Sequence, residues 1–572
     1  MMNRRPLGRN RFTLFPPVLL LLLALCAILY LPGLWTVPVT DRDEARFAQA
    51  TRQMIETGDW ITIHFQSEAR HKKPILTHWA QGVIVRATGG TPDSGITHYR
   101  LASTLAATTA VILLVLLWGK PTERTTNALA GALLASSILL IVEARLATSD
   151  ALLLTTVVAA QCALWRVYSL PPDNQRNWPW VTLFWTALGF GILTKGPILP
   201  ALSLLTLITL CIADRSCKLL VRLRPWLGIP LTLLIVIPWL WAVQKATGGT
   251  FLQQALLEDF WSKLVSSQES HGLPPGFYLI TIPALLWPGS LFTGLALGRA
   301  WNQRKTGQCE RFLLAWIIPF WLILELVPTK LPHYALPLYP ALCLLTARFI
   351  MDATAAARTK SLAPRLGFIL WIIIGTALAI APIAGLWYLG NHTIANLPGT
   401  TSIIAAGIII TLAVLAVRLG SWEGRLQTAA LCSIAAAIPL SLSVFAFTLP
   451  NMHQLWLSRA IAEFADQYRD TTASVAVFTY HEPSVVFELG TATRFASPNT
   501  ERDPLADLPA PILCFLPDGE AGTDILKSLA NNYQITQQPS TTIEGFNYSK
   551  GQPVRLRPVI LDRQPPGEEP TP

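Results

Sequence analysis

The stretch Val39–Trp79 reads VTDRDEARFAQATRQMIETGDWITIHFQSEARHKKPILTHW, a charged island between apolar segments. Its first half has the pattern of a capped amphipathic helix. Thr40-x-x-Asp43 and Asp41-x-x-Glu44 form overlapping capping boxes, Phe47, Ala48, Met54 and Ile55 make an apolar stripe, and Gly58 stands where a C-cap belongs. This predicts a helix from near Asp41. Asp43 and Arg46 then share a face, Glu44 projects beside them, and Lys72 and Lys73, held before Pro74, return to meet them. A carboxylate beside several cations suits transfer chemistry: the carboxylate orients or deprotonates an acceptor while Lys and Arg hold a phosphate leaving group. Spacing alone allows a plainer reading, in which Asp43 and Glu44 are caps and Arg46 is a solvated helix charge.

The chain around this island is strongly apolar. Of 572 residues, 52% are hydrophobic and 14% charged, with a mean hydropathy of +0.42. That excludes a soluble protein of this length and predicts an α-helical polytopic membrane protein. The net charge of +10 does not mark a nucleic-acid binder, because the basic residues gather in short loops between apolar runs. Thirteen runs are long enough to cross a bilayer, near 15–34, 98–117, 125–143, 150–168, 179–194, 197–213, 226–243, 276–297, 311–328, 334–351, 367–388, 402–418 and 429–449. Lys195-Gly196-Pro197 interrupts the region 179–213, where a re-entrant turn is the alternative. Every second loop is basic, from Arg4, Arg5, Arg9 and Arg11 at the start to Arg418 and Arg425. Positive loops lie inside, so the N-terminus is expected in the cytoplasm, with the Val39–Trp79 loop and everything after residue 450 in the periplasm of a bacterial inner membrane.

The expected domains are a transmembrane catalytic domain over 1–450, with a first periplasmic loop at 35–97, a small periplasmic α/β domain over 451–561, and a disordered tail over 562–572. In the α/β domain Leu455–Tyr468 reads as helix, and Ser474–Phe478, Val485–Leu489 and Ile512–Leu516 read as strands. The eight cysteines show no zinc-site spacing, and only Cys514 falls in the exported domain, so no disulfide is expected there. Most of the twenty tryptophans sit near span ends as an interfacial belt, while Trp60 and Trp79 lie inside the charged loop.

The order Asp43, Glu44, Arg46, Phe47, then Gly58, Asp59, Trp60, then Lys73, Pro74 and Trp79 resembles the first periplasmic loop of the GT-C glycosyltransferases related to lipid A aminoarabinose transferases and protein O-mannosyltransferases. Outward loops carry further similar elements: Ser149-Asp150, Lys195-Gly196-Pro197, and Thr329-Lys330-Leu331-Pro332-His333-Tyr334. The resemblance implies a GT-C fold with the catalytic aspartate at Asp43, assisted by Glu44. It places Lys73, with Arg46, Lys195, Lys330 and Tyr334, at the donor phosphate, and Asp150 and Lys72 as site-organising residues. The donor it implies is a polyprenyl-phosphate sugar, transferred with inversion to lipid A, another envelope glycan or lipid, or, in a mannosyltransferase-like alternative, a protein. One position departs: the aminoarabinose transferases carry an acid immediately before the lysine, where this chain has Lys72. Glu269 and His271 in a longer outward loop would suit a divalent ion or a sugar, although a solvated loop histidine explains His271 better, because no tight ligand spacing surrounds it. A metal is therefore left open and no other cofactor is implied. A lipid or sugar transporter is the reading from another class, but the charges cluster at one face and no inverted repeat is evident.

Overall fold

The computed structural model describes residues 15–70, 73–119, 123–171, 177–253, 273–352, 362–390, 396–497 and 503–564. Lys72, Glu269 and His271 lie outside the described residues. Each of the thirteen expected segments is helical over all or part of its length. Helix is what a chain in lipid must adopt, because every backbone N–H and C=O needs a partner within the segment. Length and apolarity single out fewer: among the described residues, six helices can cross a bilayer, or seven if a bent pair counts as one. They are Thr97–Leu117, Asp150–Ser169, Pro225–Ala246, Arg365–Leu389, Leu397–Trp422 and Leu426–Asn451. The bent pair is Phe277–Leu285 with Gly289–Gln303, at 120°.

The breaks have partners. The expected span at 125–143 divides into Arg124–Ala135 and Ile138–Glu143, and the Ile138 N–H freed at the division donates to the Trp287 carbonyl, 3.1 Å away, at the bend of the other broken pair. Two interruptions thus satisfy each other. The break at Lys195-Gly196-Pro197 is a tight turn between the helices Trp178–Lys195 and Ile198–Asp214, with Gly196 at φ 65°. One large buried cluster joins these helices, and in it Trp118 stacks on Trp165 at 5.0 Å with Phe312 against both.

The loop that follows the first helix folds into the helix Asp43–Thr57, an antiparallel hairpin of the two-residue strands β1 (His64–Phe65) and β2 (Glu68–Ala69), and the helix Leu76–Ala87. Gly58 closes the first helix in the left-handed conformation, as its position predicts. The start differs from expectation. Arg42 precedes the helix with φ 65° and ψ −113°, and no side chain caps it. The capping boxes are replaced by a wider one, in which both the Thr40 N–H and its hydroxyl donate to Glu44 Oε2. Such backbone angles belong to the first central position of a type II′ turn, where glycine is the usual residue, and in arginine they cost about 1–3 kcal/mol.

The C-terminal unit is a six-stranded sheet of β3 (Ser474–Phe478), β4 (Arg494–Ala496), β5 (Ile512–Pro517), β6 (Tyr533–Gln537), β7 (Ile543–Asn547) and β8 (Gln552–Arg563). The order is β4-β3-β5-β8-β6, with β7 also on β8; β3 runs parallel to β4 and β5, and β8 is antiparallel to its partners. Two expectations are corrected. Val485–Leu489 lies in a helix, Pro483–Leu489, because Pro483 opens a helical turn and a short β-branched run fits either state. Asp562 is not in a tail, since β8 continues through it to Arg563. All eight cysteines are free thiols.

This unit docks on the first loop. Arg52 donates to the Phe487 carbonyl at 3.0 Å, Gln49 to Thr491 at 2.8 Å, and Gln66 to the carbonyls of Thr491 and Thr493. The β7–β8 turn places Tyr548 where its hydroxyl oxygen accepts from the Asp41 N–H. The Asp41 side chain is buried there, accepting from Ser484 and, at 3.3 Å, from Tyr480.

Close helix contact in the membrane domain depends on Gly228, whose absent Cβ would stand 2.0 Å from Trp185 Nε1. The Trp185 indole is fixed by donating to the Leu223 carbonyl at 2.7 Å, so it cannot withdraw freely. Gly228→Ala is therefore expected to destabilise the protein by about 1–3 kcal/mol, read as a lowered melting midpoint in detergent.

Candidate active site

Asp43 is the first residue of its helix, and its side chain remains 56% exposed. Burial raises the carboxyl pKa, but Lys73 first, then Arg70 and Arg46, outweigh it, and the group is held below the ordinary carboxylate range. Arg70 Nη2 stands 3.8 Å from Asp43 Oδ1, and its guanidinium lies over the Phe47 ring, 5.1 Å from the centroid. The expected grouping of Asp43, Arg46 and Lys73 is thus assembled, and Arg70 joins it from the residue after β2.

A second group lies alongside. Lys195, at the end of its helix, donates to Asp150 Oδ1 at 2.6 Å, and its ammonium stands 5.5 Å from the centre of the Tyr334 ring. His333 packs edge-on against Tyr334 at 4.9 Å, and its Nδ1 is 3.9 Å from Glu143 Oε1. Glu143 accepts from Thr148 at 3.1 Å. Burial holds the His333 ring well below its usual range, at about 4, and Asp150, Lys195, Asp43 and Lys73 all lie within electrostatic reach of it. His333 therefore lies between the two groups as a neutral imidazole.

Two expected site residues have other work. Glu44 is 1% exposed, and its carboxylate accepts from Arg100 Nε and Nη2 at 2.8 and 2.9 Å, from both Thr40 donors, and from the Ala147 N–H at 3.0 Å. Against the cost of burial, Arg100 keeps it ionised, with its pKa below the usual value. With its carboxylate taken up by these five donors, Glu44 has a structural part in the loop. Lys330 is 2% exposed, and its ammonium donates to the carbonyls of Leu324, Glu325 and Val327, which close the helix Gln308–Leu326 and the residue after it. It is a helix-end cation rather than a phosphate ligand. Trp79 donates to the Trp60 carbonyl at 2.9 Å and Gly82 lies against the Trp60 ring, so both tryptophans serve the packing of the loop.

Sequence reasoning passed over Arg70, His333 and Glu143. Arg70 lies three residues before Lys73 and His333 inside the Thr329–Tyr334 element, so both were visible as charged or titratable residues in stretches already singled out. Their convergence was not, because it depends on the hairpin and on a 3₁₀ turn over Pro332–Leu338. Among the described residues, no three His, Cys, Asp or Glu are grouped to hold a metal ion.

Comparison with known proteins bears on both fold and site. Residues 18–247 match the family described as dolichyl-phosphate-mannose-protein mannosyltransferase. The undecaprenyl phosphate-alpha-4-amino-4-deoxy-L-arabinose arabinosyl transferase of Enterobacter sp. (strain 638) is 26% identical over 421 residues, 73% of this chain and 75% of that protein. A second such transferase, from Pseudomonas fluorescens, is 28% identical over 349 residues, 61% of each chain. The crystal structure of ArnT from Cupriavidus metallidurans bound to undecaprenyl phosphate shares the fold, with a TM-score of 0.68 at 18% identity, over 94% of this chain and 97% of that one. Its apo state gives 0.67 at 19% identity. The fold is that of a multi-pass membrane protein, similar over most of its length to membrane glycosyltransferases of the GT-C type.

Glu44 and Asp43 are adjacent yet should respond oppositely. Glu44→Gln leaves Arg100 buried without its counter-charge, a loss on the order of 3–5 kcal/mol, so folded yield and melting midpoint should both fall. Asp43→Asn, at an exposed position, should leave stability within about 0.5 kcal/mol. A separate dependence on pH follows from Asp41. Burial pushes its carboxyl up to about 6, with the Ser484 hydrogen bond opposing, Glu482 adding to the rise, and Tyr480 and Arg42 opposing it. A carboxyl raised on folding contributes stability that is complete below its unfolded pKa and is lost as pH rises through about 6. Docking of the C-terminal unit should therefore loosen as pH rises from about 4 to about 6, and Asp41→Asn should flatten that change. Amide exchange of the β7–β8 hairpin, corrected for intrinsic rates, is the measurement.

Proposed function

We propose that this protein transfers a monosaccharide from a polyprenyl-phosphate donor to lipid A or another envelope lipid or glycan, at the periplasmic face of a bacterial inner membrane. The observation that carries the reading is an exposed carboxylate, Asp43, held ionised among Lys73, Arg70 and Arg46. The relatives named for transfer from undecaprenyl phosphate-linked aminoarabinose support the donor class. In this reading residues 1–450 form thirteen spans and the outward loops, with the N-terminus cytoplasmic, and residues 451–561 form the periplasmic domain.

The isoprenoid tail lies along the spans, and the phosphate meets Lys73 and Arg46. Lys195 joins them on exchanging Asp150 for the phosphate, with Tyr334 beside it. The acceptor oxygen attacks the sugar carbon from the face opposite the phosphate, the carbon–oxygen bond to phosphate breaks, and polyprenyl phosphate leaves with an added negative charge. Cations fixed in place stabilise that charge as it develops. Asp43 orients the acceptor and, where that is a hydroxyl, takes its proton as the new bond forms. An acceptor that is itself a phosphate needs no base. Lys72, Glu269 and His271 stand in this reading as organising residues of the same face, and Lys72 distinguishes this chain from aminoarabinose transferases with an acid at that position.

The test is mass spectrometry of envelope lipids and glycans from cells lacking the protein, complemented with wild type or with Asp43→Asn. A sugar-sized mass should vanish on deletion, return with wild type, and form about 10²–10⁴-fold more slowly with Asp43→Asn. Equal restoration by Asp43→Asn would remove the carboxylate from the mechanism. Lys73→Ala should weaken binding of undecaprenyl phosphate to the purified protein and slow product formation together.

A further inference from the structure

A contact between the first loop and the C-terminal unit lies two residues before Asp43. Asp41 is held by three residues of the C-terminal unit: its N–H donates to the Tyr548 hydroxyl, and its carboxylate accepts from Ser484 and Tyr480. Arg42 Nη2 donates to the Ser549 carbonyl at 3.2 Å. Ser484 and Tyr480 are themselves tied through Ser458, and all three are buried, so the grip is rigid. Between this grip and the helix, Arg42 takes the φ 65°, ψ −113° conformation that glycine adopts readily and arginine does not. Its carbonyl nevertheless accepts the first helical hydrogen bond, from the Arg46 N–H at 3.0 Å. Asp43 is the residue between.

We infer that the C-terminal domain is a positioning device for the active site: Tyr548, Ser484 and Tyr480 grip Asp41, hold Arg42 in a turn it would otherwise leave, and so fix where the helix begins and where the Asp43 carboxylate points. A backbone conformation unfavourable for its residue persists only where the surroundings over-determine it. Here the surroundings come from a domain more than 430 residues away in sequence. Relaxing Arg42 to an ordinary φ would swing the first turn of the helix, and with it Asp43, relative to Lys73 and Arg70. Glu44 would keep the rest of the helix in place through Arg100, so the displacement is local. Tyr548, Ser484 and Tyr480 are positioning residues and touch no substrate.

This inference rests on the role given to Asp43 above. The test compares full-length wild type, Tyr548→Phe, Tyr548→Phe with Ser484→Ala, and that pair with Arg42→Gly. Three readouts are taken: the rate of envelope product formation per molecule of enzyme in cells, the Kd of the purified protein for undecaprenyl phosphate, and amide exchange over residues 43–47. The paired variant should lose about 10- to 100-fold in rate, keep its Kd within about twofold, and exchange faster over 43–47. Adding Arg42→Gly should restore most of the rate, because glycine holds the turn unaided. A merely structural interface would weaken rate and Kd together and would not respond to Arg42→Gly. Tyr548→Phe deletes one oxygen and keeps the ring, so it yields the same split, at smaller size, should the paired variant fail to accumulate. Unchanged exchange over 43–47 in folded variants overturns the inference whatever the activity. If Asp43→Asn retains full rate, the catalytic reading fails; if Asp43→Asn is inactive while the clamp variants turn over normally, only the positioning role falls.

Discussion

The Glu44–Arg100 ion pair is the constraint on which the first loop depends. Both groups are buried, at 1% and 2% exposure, and a buried charge is tolerated only with near-complete hydrogen bonding. Glu44 meets that condition by accepting from Arg100, Thr40 and Ala147. Arg100 meets it by donating also to the carbonyls of Val37 and Pro38. The pair therefore ties the start of the loop, the loop helix, the helix Thr97–Leu117 and the turn before Asp150 to one point. With that point fixed, the helix from Glu44 onward keeps its place, and only the turn before it depends on the contacts of Asp41.

The charges of the site fall into two kinds. Asp150 and Lys195 neutralise each other at 2.6 Å, so that part is closed in the absence of a ligand. Asp43 faces several cations at once, Lys73, Arg70 and Arg46, with Arg70 Nη2 at 3.8 Å. In the proposed function that excess of positive charge is what would receive the donor phosphate. Lys330 shows the limit of the same logic. A lysine at the outward end of a helix is equally well explained by the helix's own carbonyls, and here all three donors go to them.

Much of this was legible in the sequence. Apolar runs separated by alternately basic loops mark a polytopic helical protein, and Asp43, Arg46, Lys73, Asp150, Lys195 and Tyr334 were each marked by a motif and come together. Glu44 was misread because a capping box and a buried ion pair use the same residue, and its true partner, Arg100, sits 56 residues on in an apolar helix. Lys330 was misread because motif position says nothing about which way an ammonium turns. The strand expected at Val485–Leu489 became helix because five residues, four of them apolar, carry no period of their own, and Pro483 decided the matter locally. The broken helices at 136–137 and 286–288 were not separable from straight spans, since their backbone groups are satisfied by one another rather than by any local residue.

The contacts of Asp41 also bear on the order of events when the protein is made. Its partners lie at positions 480, 484 and 548, so the first loop is synthesised more than 430 residues before any of them. Its geometry is finished only when the strands around the β7–β8 turn have formed and paired, so assembly of this corner runs from the C-terminal unit back to the first loop.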